Sequence, residues 1–196
     1  GAASHTGGTY VMNGALSIGN GGTSGSLSGN VVDMASLVFN RTGNAAYAGV
    51  ISGTGAVTKE GAGTLTLTGA NSYTGTTTIS GGTLSVSSLA NGGANSNLGA
   101  STNVAGNLVL DGGTLKYTGA AVSTNRLFTL TDNGGTIDAS GTGALTFTNT
   151  GSIAYTGTSV RTLTLTGTGT GTLSQVLADN TGASSLTKTG NGTWTL

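Results

Sequence analysis

From Ile51 to Val86 the chain reads ISGTGAVTKEGAGTLTLTGANSYTGTTTISGGTLSV, a series of short runs in which apolar and hydroxyl residues alternate. Thr64-Leu65-Thr66-Leu67 and Thr83-Leu84-Ser85-Val86 are the clearest of them. A period of two places Leu65 and Leu67 on one face of a strand and Thr64 and Thr66 on the other. No run is long enough for a helix, and none repeats apolar residues at i, i+3 and i+4. Glycine-rich turns separate the runs. The pattern predicts an all-β chain in which Leu65, Leu67, Ile79, Leu84 and Val86 line one interior.

The flanks continue the pattern less regularly. VVDMASLVFN gives two strand-like runs, and AAYAGVISG leads into the central stretch with Tyr47 and Val50 expected to point inward. Ser87 to Asn103 is polar and broken, so 87–103 is expected to be a loop excursion. Alternation resumes with Leu108/Leu110 and Leu115/Tyr117 around the turn Asp111-Gly112-Gly113. Later apolar runs begin at Ile137, Leu145, Ile153, Leu163 and Leu173, in steps of 8, 8, 10 and 10. Three such strands per turn imply a coil of roughly 27 residues, within the range of solenoid repeats. Residues 1–196 then form a single unit of about seven to nine rungs, a rod some 35–45 Å long at ~4.8 Å per rung.

Self-similarity supports a repeat architecture. Thr6 to Ile18 lines up with Thr74 to Val86 at a constant offset of 68, and Leu186 to Leu196 with Val57 to Leu67 at an offset of 129. The repeat-like parts are therefore 1–19, 51–86 and 186–196. Placing Gly1 after Leu196 rebuilds the central motif across the junction, short of one residue. This leads us to expect copies of the chain joined end to end, in tandem or as stacked rods, through strand edges left unpaired at open solenoid ends.

Gly63-Thr64-Leu65-Thr66-Leu67-Thr68-Gly69-Ala70-Asn71-Ser72-Tyr73-Thr74-Gly75 closely resembles the passenger-associated strand repeat of bacterial autotransporters. Ser72 and Thr76 depart from it, where that family more often shows Thr and Gly. The resemblance implies a right-handed parallel β-helix (β-solenoid) in an exported, surface-displayed passenger. It further implies that a leader and an outer-membrane barrel lie outside these residues, and that folding outside the cell helps draw the passenger through the barrel.

Composition narrows the function classes. Among 196 residues there are 38 glycines, no proline, no cysteine and only 6% charged residues, with 35% apolar. Glycine permits the positive φ that sharp corners need, and the absence of proline suits a sheet whose interior strands are paired on both sides. Six acidic and six basic residues balance, so no basic face recruits nucleic acid or anionic lipid. GAASHTGGTY has neither the basic nor the apolar region of a signal peptide, no run approaches the length of a membrane helix, and no series of ten-residue barrel strands is present.

Candidate chemistry is sparse. His5 is the sole histidine and aligns with Tyr73 in the repeat, which points to a turn or solvent position rather than a catalytic one. Asp33, Glu60, Asp111, Asp132, Asp138 and Asp179 are dispersed; only Asp132 and Asp138 are close enough to meet across a turn as a glycosidase pair does. DGGTLKY (111–117) and DNGGTIDASGTG (132–143) share glycine and aspartate with calcium β-rolls but not their spacing. Asn71, Asn107 and Asn133 are candidates for stacked corner ladders. Alternating threonines in 64–66 and 162–172 resemble the flat threonine ranks of ice-binding β-solenoids, although threonine is also simply a good strand former. These readings assign no catalytic, cofactor-binding or metal residues and no cofactor. They favour a non-enzymatic stalk or extracellular fibre, with the scaffold of an adhesin or enzyme passenger as the alternative and a threonine-array ice binder as a lesser one. Surface or matrix contacts, and a membrane link only through a barrel elsewhere, complete the expected partners.

Overall fold

The structure, a computed structural model, describes residues 1–5 and 7–196; Thr6, where the N-terminal echo begins, lies outside the described residues. The described residues form a parallel β-solenoid of about nine turns, with one 3-10 turn at Ala105–Asn107 as its helical element. The expected all-β solenoid and its rung number are both found.

Three faces run along the axis. The first is a seven-stranded sheet of β3 (Ala15–Ile18), β6 (Ser36–Asn40), β9 (Ala56–Glu60), β11 (Thr77–Ile79), β13 (Leu108–Leu110), β16 (Thr129–Leu130) and β19 (Ala154–Tyr155). The second has β7 (Ala45–Tyr47), β10 (Thr64–Leu67), β12 (Thr83–Val86), β14 (Thr114–Tyr117), β17 (Gly135–Ala139), β20 (Arg161–Thr166) and β22 (Ser184–Lys188). The third is split into β2 (Thr9–Val11), β5 (Val31–Asp33) and β8 (Ile51–Ser52), then β15 (Val122–Thr124), β18 (Leu145–Phe147), β21 (Thr170–Leu173) and β23 (Thr193–Thr195). A short pair, β1 (Ala2–Ala3) with β4 (Ser26–Leu27), stands apart. Neighbours within each face are parallel, so each strand hydrogen-bonds the same face one turn before and after it.

Register is set by the alternation. Leu65 pairs with Ala45 on one side and Leu84 on the other, and Leu84 with Leu115, so apolar side chains stack on apolar side chains. Leu65, Leu67, Ile79, Leu84 and Val86 are all buried, as are Ile137, Leu145, Ile153, Leu163 and Leu173. Tyr47 points inward as expected, its hydroxyl donating to the Gly29 carbonyl at 2.6 Å. Val50 does not. It is half-buried, and Ile51 takes the inward position with no exposed surface.

The turn is shorter than 27 residues over the first half. Leu37, Val57 and Thr77 follow one another at 20, and Leu65 to Leu84 is 19. The step is 31 from Leu84 to Leu115, which spans the excursion, then 22 to Ile137 and 28 from Thr136 to Thr164. The spacing of 8 to 10 belongs to the C-terminal half, where the corners are longer; in the first half, tight glycine corners such as Gly61 (φ 69°) shorten each turn. A Cβ at Gly61 would sit 2.5 Å from the Arg41 carbonyl oxygen of the preceding turn, so only glycine fits.

The repeat copies do not share a face. Thr77–Ile79 lies on the first face, whereas its N-terminal echo Thr9–Val11 lies on the third. Val57–Lys59 of β9 is on the first face, and its C-terminal echo Leu186–Lys188, within β22, is on the second. The three faces are similar enough that one strand–corner–strand motif is used at different phases of the coil.

Candidate functional site

The candidates for catalysis do not converge. His5 is exposed, its Nε2 2.9 Å from the Thr9 hydroxyl, and no carboxylate is among its hydrogen-bond or ion-pair partners. Asp132 accepts hydrogen bonds from the Thr158 and Ser159 amides (3.1 and 3.0 Å) and pairs with the Arg161 guanidinium at 3.1 Å. Asp138 instead pairs with Lys116 at 3.2 Å and accepts from the Ser140 hydroxyl. The two aspartates thus serve different corners rather than facing one another. Asp111 accepts from Thr131 and Asn133, Asp179 from the Ser184 amide, and Glu60 from Asn40. Among the described residues no group of three or more His, Asp or Glu side chains is placed to hold a metal ion. Two hollows lie at the ends of the coil, one lined by His5, Leu16, Ile18 and Leu27, the other by Leu173, Gln175, Leu186 and Leu196. Neither gathers a nucleophile with a base.

What the coil holds inside is more informative. Period two makes Lys59 inward because Val57 is inward, and Lys59 is 2% exposed in a column between Phe39 and Ile79. Its Nζ donates to the carbonyls of Glu60 (2.7 Å), Gly61 (2.8 Å) and, one turn on, Gly81 (3.1 Å). The ammonium therefore clamps the left-handed Gly61 corner and ties it to the next rung. Burial pushes its pKa down to about 8, against a smaller upward pull from Glu60. Lys188, at offset 129, makes the same two local bonds to Thr189 and Gly190 (2.7 and 2.9 Å) around a glycine of φ 68°. The sequence carried this signal in its parity and in the recurrence of TK before glycine.

Arg126 is a second internal cation. It is 2% exposed and donates to Ala90 O (3.1 Å), Gly99 O (2.9 Å), and the carbonyl and hydroxyl oxygens of Ser101 (3.0 Å each). These acceptors all belong to the long step after Val86, so Arg126 pins that segment to the solenoid. Asn71 and Asn97 continue the pinning: Asn71 Nδ2 donates to Asn97 O (2.8 Å), and Asn97 Nδ2 to Gly69 O (2.9 Å). Asn71 thus partners Asn97, while Asn107 donates to Thr102 and Asn133 to Asp111, so the three candidate ladder asparagines serve separate corners. Asp33 is wholly buried with one oxygen unpartnered, and burial pushes its carboxyl pKa up.

On the outside, the second face carries threonines in register. Thr64, Thr83, Thr114, Thr136, Thr164 and Thr187 pair in succession, one per strand from β10 to β22. From the sequence these residues appear only in patches, because the step between them varies from 19 to 31.

A rod of parallel rungs with an apolar interior, glycine corners and a hydroxyl-rich exterior defines the class: a β-solenoid whose regularity, not a pocket, is its main feature. The passenger-associated-transport-repeat family matches residues 57–86 and 186–196, the two segments that hold the lysine-clamped corners. Over 55 residues the chain is 60% identical to the adhesin BmaC autotransporter of Brucella suis biovar 1 (strain 1330). That alignment covers 28% of this chain and 2% of the length of that protein. No solved structure matches the chain significantly. The chain carries autotransporter passenger repeats.

Proposed function

We propose that this chain is a rigid, non-enzymatic stalk segment of a surface-displayed autotransporter-type protein, holding other material away from the outer membrane. The observation that carries the reading is the continuous stack of rungs on the first and second faces, where each turn is hydrogen-bonded to the next. Nine rungs at about 4.8 Å give a spacer of roughly 43 Å. Long-range parallel pairing makes a stiff rod with few exposed loops for proteases, and lateral loops, if adhesive, would be presented along it. Copies would follow one another end to end; because echoed strands lie one face apart, successive units would be turned relative to one another about the common axis.

Similarity to an adhesin autotransporter favours a second role, as scaffold within an adhesin passenger. One experiment separates the two. In the full surface protein, residues 1–196 are replaced by an unrelated solenoid of equal length, and projection and cell adhesion are measured. A stalk predicts that both are retained; loss of adhesion at unchanged projection would assign the binding contacts to this segment.

A further inference from the structure

We propose that the second face binds ice through its threonine ladder. The six threonines from Thr64 to Thr187 stand on consecutive rungs in one column, about 4.8 Å apart. A second column lies two residues on, roughly 6.6 Å away, and consists of Thr66, Ser85, Lys116, Asp138, Thr166 and the adjacent Thr189. Among the described residues, the threonine hydroxyls that bond to protein groups lie elsewhere, such as Thr118, Thr129, Thr131 and Thr148. The ladder hydroxyls are left to solvent.

The chemistry of the face selects the ligand. Protein interfaces draw their energy from buried Trp, Tyr and Arg anchors, and none stands in either column. The only charges, Lys116 and Asp138, neutralise one another at 3.2 Å. What remains, apart from the buried Ser85, is a lattice of short β-branched side chains, each offering a methyl and a hydroxyl with few rotamers to lose. Waters bridging such hydroxyls are immobilised at little entropic cost. A surface of this kind matches an uncharged, periodic lattice of hydrogen-bonding groups, which is what an ice plane presents. The ion pair interrupts the second column at two central rungs, leaving the paired threonine columns complete only toward the two ends.

The test is partition into a slowly growing ice hemisphere, with circular dichroism confirming each fold. The wild-type chain should enter ice several-fold more than a non-binding protein of equal size. Thr136→Lys, which plants a long charge in mid-ladder, should remove most of that uptake. Thr58→Lys, facing outward on the first face where the column reads Val38, Thr58, Thr78, Val109, should leave it unchanged. Lys116→Thr with Asp138→Thr leaves Ser85 as the one non-threonine of the second column and should raise uptake several-fold. Wild-type uptake equal to the control, equal losses in Thr136→Lys and Thr58→Lys, or retention on crystalline cellulose without uptake into ice would each overturn the proposal.

Discussion

Arg126→Met tests how the long step after Val86 is held. Methionine keeps the apolar stem and removes the guanidinium, and with it the four hydrogen bonds to Ala90 O, Gly99 O and both Ser101 oxygens; Ala90 O, Gly99 O and Ser101 O keep one donor each, from Thr124 Oγ1, Ser96 Oγ and the Gly93 amide. Hydrogen bonds to a charged group are worth about 1.5–3 kcal/mol each, and four are lost. Against this stands the desolvation of a buried cation, several kcal/mol that the substitution recovers. The lost hydrogen bonds, less the desolvation recovered, leave a net cost of about 3–4 kcal/mol. At about 1.4 kcal/mol per tenfold, amide exchange in the pinned segment should accelerate by roughly two to three orders of magnitude. The reporters are the Gly93, Asn97 and Ala100 amides, bonded to Ser101 O, Ser88 O and Tyr73 O. Amides of β20 should keep their protection, because that strand rests on β17 and β22. Unchanged exchange at Gly93, Asn97 and Ala100, or equal acceleration along the whole rod, would refute the reasoning.

Three further outcomes are expected. Leu65→Asp places an unpaired charge at a position 2% exposed and should destabilise the chain by more than about 4 kcal/mol, read from the urea midpoint. Asp33→Asn should raise the midpoint at pH 7. Because burial lifts the folded pKa of Asp33 above 3.8, the wild type loses stability as pH rises from 3.8 through that folded value, and the mutant's gain should vanish in stronger acid. In alkali, the unfolded chain holds the Lys59 proton to about 10.5 and the folded chain only to about 8, so stability should rise between those values. Tyr47 and Tyr73 are pushed from 10.0 up to about 12 by burial, so stability should fall between pH 10 and 12. Thermal melts should therefore peak near pH 10, and Lys59→Met should flatten the rising limb while keeping the fall.

Strands were legible wherever threonine and leucine alternate, since period two fixes both the element and its buried side. Turn length was legible only locally. Steps of 8 to 10 describe Ile137 to Leu173, but the central turns close in 19 or 20 residues, and nothing in a single strand reveals which later strand lies over it. That is why the threonines appear scattered in sequence and aligned in space. Val50 was misplaced by one residue: in a period-two strand a slip of one exchanges the faces, and Ile51 is the core residue. Lys59 and Arg126 escaped notice because charged residues are presumed exposed. Their burial depends on carbonyls supplied by neighbouring turns, and for Arg126 by residues 25 to 36 positions earlier.

The account rests on a rigid coil in which Thr64 and Thr187 stand in one column, five rungs apart. The chain has no cysteine, so Thr64→Cys with Thr187→Cys accepts a pair of spin labels at those two sites alone. Both positions face outward, and five intervals of about 4.8 Å predict a label separation near 24 Å. A single narrow distance distribution at that value, as measured by pulsed electron resonance, would establish register and stiffness together. A broad distribution, or a mean displaced by more than one rung, would contradict a rigid parallel solenoid and the stalk built on it.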